Sequence, residues 1–184
     1  MSRRDSNDRT GDKHLWRVPV AVDKIPETGR QMEISADTDV RAAVAKIAGV
    51  EAVHHLAAVF DLTRHGHDGV RVDGKVFGTV EQHCVVTLDP IQTSVEEAFD
   101  LVFASRGQIE ASAEHSRASA PPEVLQDGIV DLGAVAIEFL LLGIDPYPRK
   151  PGAIFAAPLE PEIGANRPFA ALAALKKSGG GSDG

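Results

Sequence analysis

The sequence predicts an α+β domain, with a curled, mostly antiparallel sheet of about five strands and two or three packed helices. Two observations carry that class. Between Val53 and Ala104 apolar residues alternate through consecutive segments, the period of half-buried strands. On either side, the stretches that start at Asp37 and at Asp131 open on a capping aspartate, carry apolar residues as a helix does and stop at a glycine.

Residues 1–12 are polar and aperiodic, which predicts a disordered tail. His14 to Val22 has strand composition, with Pro19 marking an edge. Asp23 to Gln31 reads as a loop. A helix follows from the Asp37 cap, with Val40, Val44, Ile47 and Ala48 on its apolar face. In Val53 to Thr63, Leu56, Ala58, Phe60 and Leu62 share one strand face. Asp73-Gly74, set between alternating residues, predicts a hairpin turn. The next strand is expected to run to Asp89-Pro90, with Val76, Val80, Cys84, Val86 and Leu88 on one side. Ile91 to Ala104 supplies another, on which Glu97 interrupts the face of Val95, Phe99, Leu101 and Phe103.

Residues 105–123, rich in Ser, Ala and Glu, predict an acidic linker. A short strand near Gly128-Ile129-Val130 precedes a core helix capped by Asp131 and running to about Leu142. Residues 144–152 are extended and proline-stiffened, and 153–165 read as loop. A last helix begins at Pro168, where the missing N–H costs little. Residues 178–184 form a second tail. The expected organisation is one domain over residues 13–177.

Composition bounds the function. Hydrophobic residues make up 43% and charged residues 25% of the 184, ordinary values for a globular chain. Cys84 is the single cysteine, so neither an intrachain disulfide nor a cysteine-tetrad zinc site is possible. The N-terminus lacks the apolar core of a secretory signal. No apolar run reaches the roughly 18 residues of a membrane span. These features predict a cytoplasmic protein with no membrane partner.

A net charge of −8 argues against DNA binding or any simple charge-driven nucleic-acid contact. The charge is uneven, however. Asp89 to Asp145 holds eleven acidic residues against Arg106 and Arg117. Residues 146–177 hold Arg149, Lys150, Arg167, Lys176 and Lys177 against Glu160 and Glu162.

Candidate chemistry is sparse. His54, His55, His65, His67 and His83 lie in or near the sheet, but no further ligands stand at metal-site spacing around them. Cys84 next to His83 is no catalytic pair, because strand neighbours point apart; a buried thiol is expected. Glu138 lacks a second carboxylate at fixed spacing and reads as structural. No phosphate-binding glycine loop occurs. The competing reading is a small-ligand, metal-binding or enzymatic domain built on the sheet histidines and Cys84. The closing helix differs, since Phe169, Leu172 and Leu175 form an apolar stripe at i, i+3, i+6 with Lys176 and Lys177 at its end. About ten residues long, it is marginal alone and must dock on something.

The order of these features resembles the YceD family. The resemblance rests on a β-rich block with Cys84 before an Asp-Pro turn, a linker, Asp131-Leu132 and Glu138-Phe139-Leu140-Leu141-Leu142. Tyr147-Pro148 follows, and then the closing Pro168-Phe169-Ala170-Ala171-Leu172-Ala173-Ala174-Leu175-Lys176. It spans about His14 to Lys177. Many members carry Cys-x-Arg-Cys where this chain has Cys84-Val85-Val86-Thr87, and some carry a cysteine where Arg149 stands. A metal role for those cysteines is not expected here.

The resemblance implies a non-enzymatic factor in 23S rRNA accumulation and large-subunit assembly, without cofactor or metal. Its partner would be precursor 23S rRNA or a large-subunit ribosomal protein. Arg149, Lys150, Arg167, Lys176 and Lys177 would meet phosphates, and Phe169, Leu172 and Leu175 a protein surface. The acidic linker offers a second mode, holding a basic ribosomal protein.

Overall fold

The computed structural model describes residues 15–113 and 122–155. The chain divides into two units, residues 1–153 and 154–184, and every element below belongs to the first. In order these are β1 (Pro19–Ala21), β2 (Arg30–Ser35), α1 (Thr38–Ala48), β3 (Ala52–His65), β4 (Gly69–His83), β5 (Pro90–Ala104), α2 (Arg106–Ala113), β6 (Glu123–Val124), β7 (Ile129–Asp131) and α3 (Leu132–Gly143). The main sheet has the order β2-β3-β4-β5-β6, antiparallel except for the β5–β6 pair, and β1 and β7 form a separate antiparallel ribbon. An α+β architecture with a five-stranded, mostly antiparallel sheet is therefore correct.

Alternation sorts the sheet into two faces. On β4, Val70, Val72, Val76 and Val80 are buried, and they stand opposite Leu62 and Ala58 of β3 and Phe103 of β5. This inner face receives α1, packed on β3, and α3, laid across β4 and β5. Val44 of α1 and Leu132, Ala136 and Leu140 of α3 complete the core. A bulge between Val53 and His55 shifts the register, so Val53 and Leu56 are both buried although their spacing is odd.

The helix ends follow the capping rules. Asp37 accepts from the Val40 N–H at 2.8 Å, and Gly49 closes α1 at φ 66°. Asp131 Oδ1 accepts from Gly133 N at 3.2 Å and from Val18 N at 2.9 Å. One carboxylate thus caps α3 and holds the chain entering β1. Ala134, Glu138 and Leu142 form the exposed stripe of α3, which explains a charge inside an otherwise apolar helix.

Several expectations need correction. The Asp73-Gly74 turn does not exist: β4 runs straight through it, and the chain reverses between His65 and Gly69. Gly74 instead lies between Phe60 and Phe99 in the register, and their rings approach to 5.5 Å between centroids. A Cβ at Gly74 would overlap the Val59 carbonyl oxygen and sit 2.7 Å from the Phe99 ring, so close approach of the β3 backbone together with that ring requires glycine there. β4 stops at His83, and Cys84 to Asp89 is a turn, with Cys84 N donating to Asp89 O at 2.8 Å. Leu88 takes φ 60° and is exposed, so it never joins the strand face.

Arg30–Ser35, expected in part as loop, is edge strand β2; Met32 and Ile34 alone supply its apolar alternation. The His14–Val22 strand shortens to Pro19–Ala21. The linker is not structureless throughout, because Arg106–Ala113 forms α2, anchored by Ile109 N donating to Ser105 O. Glu97 keeps its inward register opposite Val76, so β5 needs no slip. The helix expected from Pro168, most of the loop 153–165 and both tails lie outside the described residues.

Candidate functional site

Sequence reasoning singled out a cationic segment. Arg149 is exposed. Lys150 is not a free cation, since its Nζ lies 3.0 Å from Asp89 Oδ2. That pair, with the Thr87 hydroxyl, holds the Asp89 carboxyl below its ordinary range. Arg167, Phe169, Leu172, Leu175, Lys176 and Lys177 lie outside the described residues.

Lys150 also ties this segment to Cys84. Its backbone N–H donates to Cys84 Sγ at 3.3 Å, and Val85 N donates to Pro148 O at 2.9 Å. Cys84, Thr87 and residues 148–150 therefore form one corner. They include two of the three positions at which the chain departs from the Cys-x-Arg-Cys pattern and the later cysteine, Thr87 and Arg149. The Lys150 N–H and the Thr87 hydroxyl stabilise the thiolate and pull the Cys84 thiol down to about 6. Cys84 is nonetheless buried, as expected, and its sulfur faces hydrogen-bond donors rather than a cleft.

The histidines do not converge. His54 and His55 are both exposed because the bulge breaks alternation; His54 Nε2 meets Glu81 Oε2 at 2.7 Å. His65 and His67 stand exposed at the β3–β4 turn, and His83 is exposed at the end of β4. Among the described residues no three His, Cys, Asp or Glu side chains are grouped to hold a metal.

The feature that sequence reasoning missed is the outer face of the main sheet. No helix among the described residues packs on it, and an open groove of about 840 Å³ crosses β2, β3, β4 and β5 there. Its side chains form two rows set by the register. Gln31, Asp61, Asp73 and Asp100 make one, and Glu33, Val59, Lys75 and Ala98 the other. Val59 and Ala98 are the apolar members of the second row, on either side of Lys75; Val59 is 39% exposed.

Carboxylates dominate the groove, and its cations are already engaged. Arg71 reaches Asp100 Oδ2 with Nη2 and Asp73 Oδ2, at 3.1 Å, with Nε, which lowers the Asp100 carboxyl and raises the guanidinium. Lys75 Nζ lies 2.9 Å from Glu96 Oε1. Among the described residues no cation pairs with Glu33 or Asp61; Asp61 only accepts from Gln31 Nε2 at 3.4 Å. Alternation could have revealed this face, because Asp61, Asp73 and Asp100 each follow a buried residue, Phe60, Val72 and Phe99. The sequence hid only that they lie side by side.

A family model described as large ribosomal RNA subunit accumulation protein YceD matches residues 72–176. The span starts within β4 and takes in β5, α2, β6, β7 and α3. No curated protein and no solved structure matches the chain. No helix among the described residues is long and apolar enough to cross a membrane.

Proposed function

This chain belongs to the YceD family, whose description ties it to accumulation of large-subunit ribosomal RNA, and we propose that it acts there by binding rather than by catalysis. Its site of action is the cytoplasm, and the RNA it supports is 23S rRNA on the way into the large subunit. The reading favoured is that the domain holds a basic large-subunit protein during assembly.

The observation that carries this is the charge arrangement of the described body. Arg71, Lys75 and Lys150 are each held against the domain's own carboxylates, while Glu33 and Asp61 stay open to a cationic visitor. Such a surface repels phosphate and attracts the Lys- and Arg-rich proteins that phosphate attracts. The acidic residues lie partly on the sheet itself, not only in the 105–123 stretch that the sequence offered as a second mode.

A second reading keeps direct RNA contact for the C-terminal cations. Arg149 is exposed, and Arg167, Lys176 and Lys177 follow it in the sequence. Phosphate contact by these residues would weaken steeply with salt, with a log–log slope of up to about −0.7 per contact on single strands.

One experiment separates the two. Full-length protein is tested against purified basic large-subunit proteins, with and without nuclease, and against 23S rRNA fragments across a salt series. Nuclease-resistant binding of a basic protein supports the favoured reading. Binding that needs RNA and falls with salt at the expected slope refutes it in favour of the second. Sedimentation with pre-ribosomal particles tests the premise that both share.

A further inference from the structure

We propose that the groove across the outer face of the main sheet is the docking site for an extended, lysine- or arginine-rich protein segment. This deepens the favoured reading above and rests on it. The face is a sheet surface with no described element on it, and it combines the three things such a segment recognises.

The first is shape. The groove crosses four strands. Strands lie about 4.8 Å apart, so the crossing spans roughly 14 Å, the reach of about four extended residues at about 3.3 Å each. The second is apolar surface, Val59 beside Glu33 and, beyond Lys75 in the same row, Ala98, against which lysine or arginine stems can lie while their charged heads reach outward. The third is charge complementarity. Glu33 and Asp61 stand on adjacent strands and both border Val59, Glu33 opposite it in the same row and Asp61 two residues along β3 in the next row. A segment laid across the strands brings alternate side chains to one or the other.

Arg71 and Lys75 shape the site rather than cancel it. Each is drawn to a carboxylate on β5, Arg71 to Asp100 and Lys75 to Glu96. The cationic heads are thereby held toward the β5 side, and the β2–β3 side is left acidic. The site is thus polarised, and the cations of the segment should settle over β2 and β3. RNA is disfavoured here, because its phosphates would face the same carboxylates at close range.

The test uses the full chain and a synthetic ten-residue peptide of alternating lysine and threonine, followed by fluorescence anisotropy. A glutamate–threonine peptide and a single-stranded RNA decamer serve as comparison probes. The variant Glu33→Gln/Asp61→Asn removes two groove charges. Glu27→Gln/Asp127→Asn removes two exposed charges that do not line the groove. Removing two exposed ion pairs should weaken the lysine peptide about three- to tenfold, while the control variant changes it less than about twofold.

The RNA decamer should bind the groove variant no more weakly than the parent. Equal losses in the two variants would overturn the site, since attraction would then be diffuse. RNA weakened by the groove substitutions would overturn the choice of protein over nucleic acid. If basic large-subunit proteins bind but ignore Glu33→Gln/Asp61→Asn, the site falls and the broader reading survives. If the parent binds neither those proteins nor the peptide, both fall.

Discussion

Leu140 and Gly78 share one volume. Leu140 projects from α3 onto the inner face of β4 at Gly78, and a Cβ built on that glycine would overlap Leu140 Cδ1. Leu140 is fully buried. Leu140→Ala removes three buried carbons above a residue with no side chain to relax into the gap. The expected loss is about 3–4 kcal/mol, within the range for leucine truncation in cores. Gly78→Ala alone overpacks the same spot and should cost about 1–3 kcal/mol.

Independent effects would add. If the alanine methyl at 78 enters the space that Leu140 vacates, the double variant should lose only about 2–4 kcal/mol, a favourable coupling of about 1–3 kcal/mol. Urea unfolding of the four proteins, followed by far-ultraviolet circular dichroism, measures the cycle. A double variant equal to the sum of the singles, within about 0.5 kcal/mol, would refute the packing of α3 on β4 described above.

Other outcomes follow from individual contacts. Asp131→Ala strips α3 of its cap and Val18 N–H of its acceptor, and should cost about 1–2 kcal/mol in the same assay; a loss below about 0.3 kcal/mol would show that the carboxylate is not shared. Cys84 should keep thiolate ultraviolet absorbance down to about pH 6, yet react slowly with a thiol reagent until the chain is unfolded. Because its folded value lies below the unfolded one, its contribution is complete above the unfolded thiol value of about 8.5 and is lost as pH falls through about 6. The stability gap between the parent and Cys84→Ser should therefore widen from pH 6 to 8.5, and a flat difference would contradict the Lys150 contact. Glu123 is raised by desolvation and by Glu138. Its charge is a penalty above the folded value that disappears below the unfolded one. Glu123→Gln should then stabilise at neutral pH, by no more than about 0.5 kcal/mol, and lose that advantage below about pH 4 in thermal melts.

Much of the fold was legible because local signals agreed. Leu56, Ala58, Phe60 and Leu62 alternate without interruption, and Asp37 and Asp131 are strong caps; strand β3 and helices α1 and α3 appear where expected. Failure came where a local preference yielded to a contact far along the chain. Asp73-Gly74 has the composition of a turn, but Gly74 is paired between Phe60 of β3 and Phe99 of β5, with the Val59 carbonyl and the Phe99 ring closing on it, and the pair stays extended in β4. Strand β2 was obscured by polar residues, since an edge strand buries little. The groove was the least legible feature. Glu33, Asp61, Asp73 and Asp100 are scattered in sequence and meet only through the register of four strands. The cationic residues were found by counting charge, and counting could not reveal that Asp89 already holds Lys150.

The ribbon of β1 and β7 has a consequence for how the molecule is built. Val18 N–H and its acceptor Asp131 are 113 residues apart in the chain, whereas β3, β4 and β5 are linked by short reversals. Local pairings form early and distant ones must await closure of a long loop. At about 5–20 residues per second of synthesis, β1 waits roughly 6–23 s for β7 to be made. Pulse-labelled amide exchange during refolding should protect the β3–β5 meander first and Val20 last; simultaneous protection would contradict that order. The meander matures first, and the β1–β7 ribbon closes the domain as its final clasp.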